Sequence, residues 1–201
     1  ASNNVAVGDD SLKATTTGAN NTAVGIRTLD ANTTGGSNTA LGADALGTAT
    51  TANNNTAVGQ SALLATTTGG TNTAVGYVAG TANTTGANNT FIGSTAGDAN
   101  TTASQNTAVG SAALSANTTA GDNTAVGFLA GGAITTGASN TIIGANAGDA
   151  ATTAHSSVFI GKDAGGAFTE GNATVAVGMS ALATGTTASA TTTVGFEAGK
   201  V

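Results

Sequence analysis

The chain has 201 residues, with 31 Gly, no Pro, Cys or Trp, 7% charged and 3% aromatic residues, and a formal net charge of −6. Its four basic residues (Lys13, Arg27, Lys162 and Lys200) make no basic patch for nucleic acid, and no apolar run approaches the roughly 18 residues of a membrane span. So few large side chains exclude a conventional jigsaw core, and a chain dominated by Thr, Ala, Gly and Asn would by composition alone suggest disorder.

Periodicity overrides that composition. The first predicted element is a short strand over residues 4–7, N-V-A-V, ended by Gly8. The same element returns every 17 residues without insertion or deletion, closed by Gly25, Gly42, Gly59, Gly76, Gly93, Gly110, Gly127, Gly144, Gly161, Gly178 and Gly195. A branched aliphatic residue precedes each of these turn glycines. Such self-similarity marks an array in which each unit buries its apolar face against the next. The reading is one repeat domain over residues 1–201: an all-β parallel β-solenoid of about twelve 17-residue coils. The start lacks the layout of a secretory leader, and the chain stops at Val201 within a repeat, so it reads as a piece of something longer. A unique active site usually breaks such a pattern; no enzyme and no cofactor are expected.

With the glycine at position five, the repeat reads N-T-A-V-G-x-x-A-(L/G)-x-A-x-T-T-(G/A)-x-x. Position one is Asn from Asn4 to Asn140, and position thirteen is Thr in every complete repeat, from Thr16 to Thr186. Alternation along the strand puts positions two and four on one face and position three on the other. Because position two becomes Val at Val5, Val158 and Val175, its face is expected inward with Val24 and Ile143, and position three outward. A second strand is expected over roughly positions eleven to fourteen, with Thr stacked on Thr from coil to coil. Twelve coils at one inter-strand spacing each make a rod on the order of 55–60 Å long.

Position nine is Leu12, Leu29, Leu46, Leu63, Leu114 or Leu182 in six repeats and Gly in the rest. Every Gly repeat carries a large side chain at position three or six: Tyr77, Phe91, Phe128, Ile142, Phe159 or Phe196. Volume conserved between positions implies a shared, close-packed space. These residues are therefore expected to form one apolar seam on the outside of the coil, covered by further copies of the same chain. The alternative places the seam inside a wider coil.

The strands NVAVG at Asn4, SVFIG at Ser157 and TVAVG at Thr174 resemble the S-V-A-I-G signature of YadA-like trimeric autotransporter head repeats. The longer unit, such as NTAVGYVAGTANTTGAN from Asn72 to Asn88, is similar to repeats of phage tail fibres and related bacterial surface proteins. The resemblance covers essentially the whole chain, and its specificity comes from twelve copies in register. It implies a homotrimer of left-handed β-rolls, extracellular, serving as the shaft or head of a surface or virion tail fibre that attaches to a host. The implied partners are the chain itself and a cell-surface glycan or matrix protein, with no nucleic acid and no membrane insertion. There is no heptad stalk, membrane anchor or receptor-binding tip, so no ligand-contacting residue is carried over.

Other chemistries find little to stand on. His155, the one histidine, lies in a predicted turn where other repeats carry Ala, Gly, Ser or Asn, and reads as a solvated turn residue. Calcium needs six to eight converging oxygens, and Asp10, Asp44, Asp98, Asp149 and Asp163 are scattered singly. The serious rival is the threonine ladder (Thr16, Thr33, Thr50 and onward), because regular Thr on a flat solenoid face orders water in antifreeze proteins. The usual outward pattern is Thr-x-Thr, whereas position twelve varies through Thr15, Asn32, Ala49, Ile134 and Phe168.

Overall fold

In the computed structural model, which describes residues 1–184, 186–187 and 189–199, twelve three-residue strands stack into one parallel sheet. Lys200 and Val201, the end of the last repeat, lie outside the described residues. The strands run from β1 (Val5–Val7) and β2 (Thr22–Val24) at 17-residue steps to β12 (Thr192–Val194), in strict chain order. Pairing aligns equal positions, Thr22 on Thr39, Ala23 on Ala40 and Val24 on Leu41. The molecule is an all-β solenoid of about eleven turns, as the 17-residue spacing predicts.

Position five must be glycine for two reasons. Gly110 has φ +138°, a backbone region open to few L side chains, and a Cβ there would fall on the carbonyl oxygen of Gly127 in the next coil. The other eleven turn glycines share the positive φ.

The strand faces are the reverse of the sequence expectation. Position three points inward: Ala23, Ala40, Ala57, Phe91, Ile142 and Phe159 are fully buried. Positions two and four face outward and are half-buried or exposed. Both faces of T-A-V are apolar enough to pass for a core face, so alternation separated the faces without saying which was inside. The coil is narrow, and it admits Ala at position three opposite Ala at position eight and Leu at position nine.

The seam is corrected with it. Leu29, Leu46, Leu63, Phe91, Leu114, Ile142, Phe159 and Leu182 are interior, and Leu12 in the first coil packs against the same core half-buried. Tyr77, Phe128 and Phe196 instead project to solvent at 56%, 54% and 65% exposure. The volume exchange is real, but it runs between neighbouring coils. A Cβ on Gly80 would lie 2.6 Å from the Phe91 ring, and one on Gly97 would also strike it. Phe91 thus fills the place of two leucines, one in its own coil and one in the coil before. Phe159 does the same for Gly148 and Gly165. Position twelve supplies further core at Ile134 and Phe168, the latter ring 5.2 Å from that of Phe159.

Polar atoms inside the coil are satisfied by a ladder of Asn at position one. The Asn72 amide group donates to Gly86 O at 2.9 Å and Asn55 Oδ1 at 3.1 Å, while its own Oδ1 accepts the Asn89 backbone N–H at 2.9 Å. Buried amides without such partners would be costly, so the ladder is a condition of closing the coil.

The expected second strand does not form. Positions twelve and fifteen both turn inward, which breaks the period of two. Around position thirteen three donors converge on one carbonyl of the next coil. Thr33 N–H, Thr34 N–H and Thr33 Oγ1 reach Thr50 O at 2.9, 3.2 and 3.0 Å. This is a stacked turn held by coil-to-coil bonds rather than an evenly spaced parallel ladder.

Candidate interaction faces

The outward face of the sheet carries two parallel columns. Position four is Val, Ile or Leu in all twelve coils, with Val7, Leu41, Val75, Ile92, Val126 and Ile143 among the exposed members. Position two is Thr in nine coils, and the hydroxyls of Thr22, Thr39, Thr56, Thr73, Thr90, Thr107, Thr124 and Thr141 have no protein partner among the described residues. Two residues beyond the aliphatic column, past the turn glycine, position six bears Ile26, Tyr77, Phe128, Met179 and Phe196 as exposed apolar side chains.

These side chains follow a second period that the 17-residue reading did not use. Ile26, Tyr77, Phe128 and Met179 stand 51 residues apart, one every third coil. Inside the coil Phe91, Ile142 and Thr193 keep the same interval, as do Gly80 and Gly131 opposite them. Phe196, one coil beyond Met179, falls outside the spacing.

The threonine ladder named from the sequence is partly consumed by the fold. Along position thirteen the hydroxyls of Thr16, Thr33, Thr84, Thr101, Thr152 and Thr169 each donate to the backbone carbonyl of the Thr one coil on, at 2.9–3.1 Å. The free hydroxyls lie at position two and at position fourteen, where Thr17 to Thr153 are exposed in nine successive coils.

His155 is exposed at position sixteen, in an isolated parallel bridge to Asn172 rather than the expected turn, and its Nδ1 accepts the Ala138 backbone N–H of the preceding coil at 3.1 Å. Asn53 Oδ1 and Ser104 Oγ do the same for Gly36 and Ala87 N–H at 2.7 and 3.0 Å. Its place is that of any position-sixteen acceptor, and the nearby Ser157 hydroxyl donates to the His155 backbone carbonyl at 3.1 Å rather than to the ring.

The carboxylates stay apart. Arg27 forks onto Asp44 one coil away at 2.7 and 2.8 Å, and Lys13 and Lys162 pair with their sequence neighbours Asp10 and Asp163. The Lys162 ammonium, with help from the Asn146 amide, holds Asp163 below the ordinary carboxylate range. Burial pushes Asp98 and Asp149 above it, and the nearby Asp163 charge adds to the rise at Asp149. One Asp98 oxygen is buried without a hydrogen-bond partner. Among the described residues no three His, Asp or Glu converge on a metal position, no cleft opens, and no helix is long and apolar enough to cross a membrane.

The Asp98 environment has a measurable consequence. A folded-state pKa above the unfolded one means that the native chain binds this proton more tightly, so stability is lost as pH rises through that window. Asp98→Asn is therefore expected to melt higher than the parent at about pH 7 and level with it at about pH 3, where the carboxyl is protonated in both states. A variant that melts lower at neutral pH would show the carboxylate to be stabilising instead.

Comparison with protein-family models, with curated proteins and with solved structures finds no match for this chain.

Proposed function

We propose that this chain is a structural and adhesive segment of a self-associating surface or tail fibre, assembled as a homotrimer of parallel rods outside the cell. The observation that carries this reading is the unbroken apolar column at position four, flanked by the bulky residues of position six, on a rod with only 7% charged residues. The columns at positions two, four and six span about 14 Å of extended chain along a rod of roughly 53 Å, or about 700 Å². That approaches the ~800 Å² per partner of a standard protein interface. An exposed aliphatic column unbroken over twelve coils is unusual on a monomer, and closed rotational assembly is the common way to cover it. Three identical rods would then present any weak site for a glycan or matrix protein in triplicate, at high effective concentration.

The mass in solution by light scattering tests this directly. The chain is 18.6 kDa, and about three times that is expected, with Phe128→Asp shifting it to the monomer. Because the Phe128 ring is solvent-exposed within a single chain, that change removes assembly without emptying the core. A monomeric parent overturns the reading.

A second reading, ice binding, is favoured by the free hydroxyls of position two. They lie beside the aliphatic column in a flat array, with steps of about 4.8 Å between coils and about 7 Å along each strand. Thermal hysteresis of the purified chain, abolished by Thr73→Lys, would support it; no hysteresis and no shaping of ice crystals would remove it.

A further inference from the structure

We infer that the rod is keyed to a second copy of this chain by bulky side chains set at every third coil, so that copies associate in one axial register and exclude chains whose keys are out of phase. The inference rests on the self-association proposed above. Ile26, Tyr77, Phe128 and Met179 stand 51 residues apart on the exposed side of the rod. Three coil rises of about 4.8 Å separate them by about 14 Å. Position six in the coils between them is Ala, Gln, Ser or Lys, so the face alternates one tall apolar residue with two that are short or polar.

The outward position of these residues matters here. They project to solvent rather than into the core, so although the interior keeps the same interval their spacing is presented to a partner. A surface with this axial period finds a matching partner in another copy of itself. Rotation about an axis along the rods allows no translation between copies, so equal levels meet and tall residues gather at the same height. A slip of one or two coils would set Ile26, Tyr77 and Phe128 against short or polar residues, with Met179 meeting Phe196 only in the one-coil slip. A slip of three restores the match. A uniform column of aliphatics at position four would tolerate any slip, because every coil looks alike. The position-six residues are what break that degeneracy, as a buried polar residue fixes register in a coiled coil.

The test exchanges the keys without changing composition. In a chain carrying Tyr77→Ser, Ser94→Tyr, Phe128→Ala and Ala145→Phe, two keys move by one coil while the core residues are untouched. A second chain lacks residues 72–122, three whole coils, which brings Phe128 to the height that Tyr77 held. Each is unfolded, mixed with a differently tagged parent, refolded, and the mixed assemblies are counted by native mass spectrometry. The key-shifted chain is expected to assemble with itself yet enter mixed assemblies about tenfold below random mixing, a discrimination of ~1.4 kcal/mol. The three-coil deletion is expected to mix freely. Random mixing by the key-shifted chain, or exclusion of the three-coil deletion, overturns the register inference while leaving the trimer standing. A parent that is monomeric overturns both.

Discussion

Phe91→Ala is expected to destabilise the solenoid by about 3–5 kcal/mol, the range for emptying a buried aromatic site. The loss falls at the upper end because the ring packs into space left by Gly80 and Gly97, and neither glycine can move a side chain into the cavity. Denaturant unfolding of variant and parent measures it, with amide exchange locating the weakened coils. Restoration is the sharper part of the prediction. Gly80→Leu and Gly97→Leu added to Phe91→Ala rebuild the Leu-on-Ala stack seen where Leu46 and Leu63 meet Ala40 and Ala57. The backbone there permits it, since φ is +59° and +56° at these glycines and +51° at Leu46 and Leu63. Most of the lost stability should return in the triple variant. In the parent, Gly97→Leu alone should destabilise, because its Cβ would strike the Phe91 ring. A cost of Phe91→Ala below ~1 kcal/mol would mean that the ring is not enclosed by its own chain.

The asparagine ladder is the second place where one side chain carries a large effect. Asn72→Leu keeps the branched outline of the side chain and removes its polar atoms. The Asn89 N–H is then left buried without an acceptor, while the Gly86 carbonyl keeps the Asn83 amide at 3.0 Å. An orphaned buried donor costs about 1–3 kcal/mol, and a loss in that range is expected. Asn72→Ser should cost less than half as much. The protein already makes that exchange at Ser157, whose N–H still donates to Asn140 Oδ1 at 2.9 Å and whose hydroxyl accepts from Thr174 N–H at 3.3 Å. Faster exchange of the Asn89 amide in the Leu variant, with coils near Asn140 unchanged, would place the damage. Equal stability of the Leu and Ser variants would rule out the hydrogen bonds as the reason for Asn at this position.

The trimeric fibre and the ice-binding face depend on different columns of the same sheet. One buries the aliphatics of position four and the bulky residues of position six and covers position two with them, and the other needs the hydroxyls of position two left exposed. The threonines of position thirteen, the most regular in the sequence, serve neither reading through their donors. Their hydroxyls hold successive turns together.

Much of this architecture was legible in the residues. The spacing of Gly8 to Gly195 set the coil length and parallel register, because a turn that brings glycine against glycine in every coil tolerates no insertion. The exchange of Leu for Gly at position nine against Phe91, Ile142 and Phe159 correctly marked a shared space. The 51-residue interval of Ile26, Tyr77, Phe128 and Met179 was also present to be read. What the residues left open was which side of the strand is inside. In T-A-V both faces are weakly apolar, and alternation is symmetric between them. Only the closed coil decides, since its width admits alanine facing alanine, lets Phe91 fill space over two glycines, and leaves Val75 and Tyr77 on the surface. The second strand failed for a related reason. Threonine content favours a strand, but two inward residues three apart, Asn32 and Gly35, tighten the chain into a turn. Local propensity yields there to the geometry needed to close a 17-residue circuit.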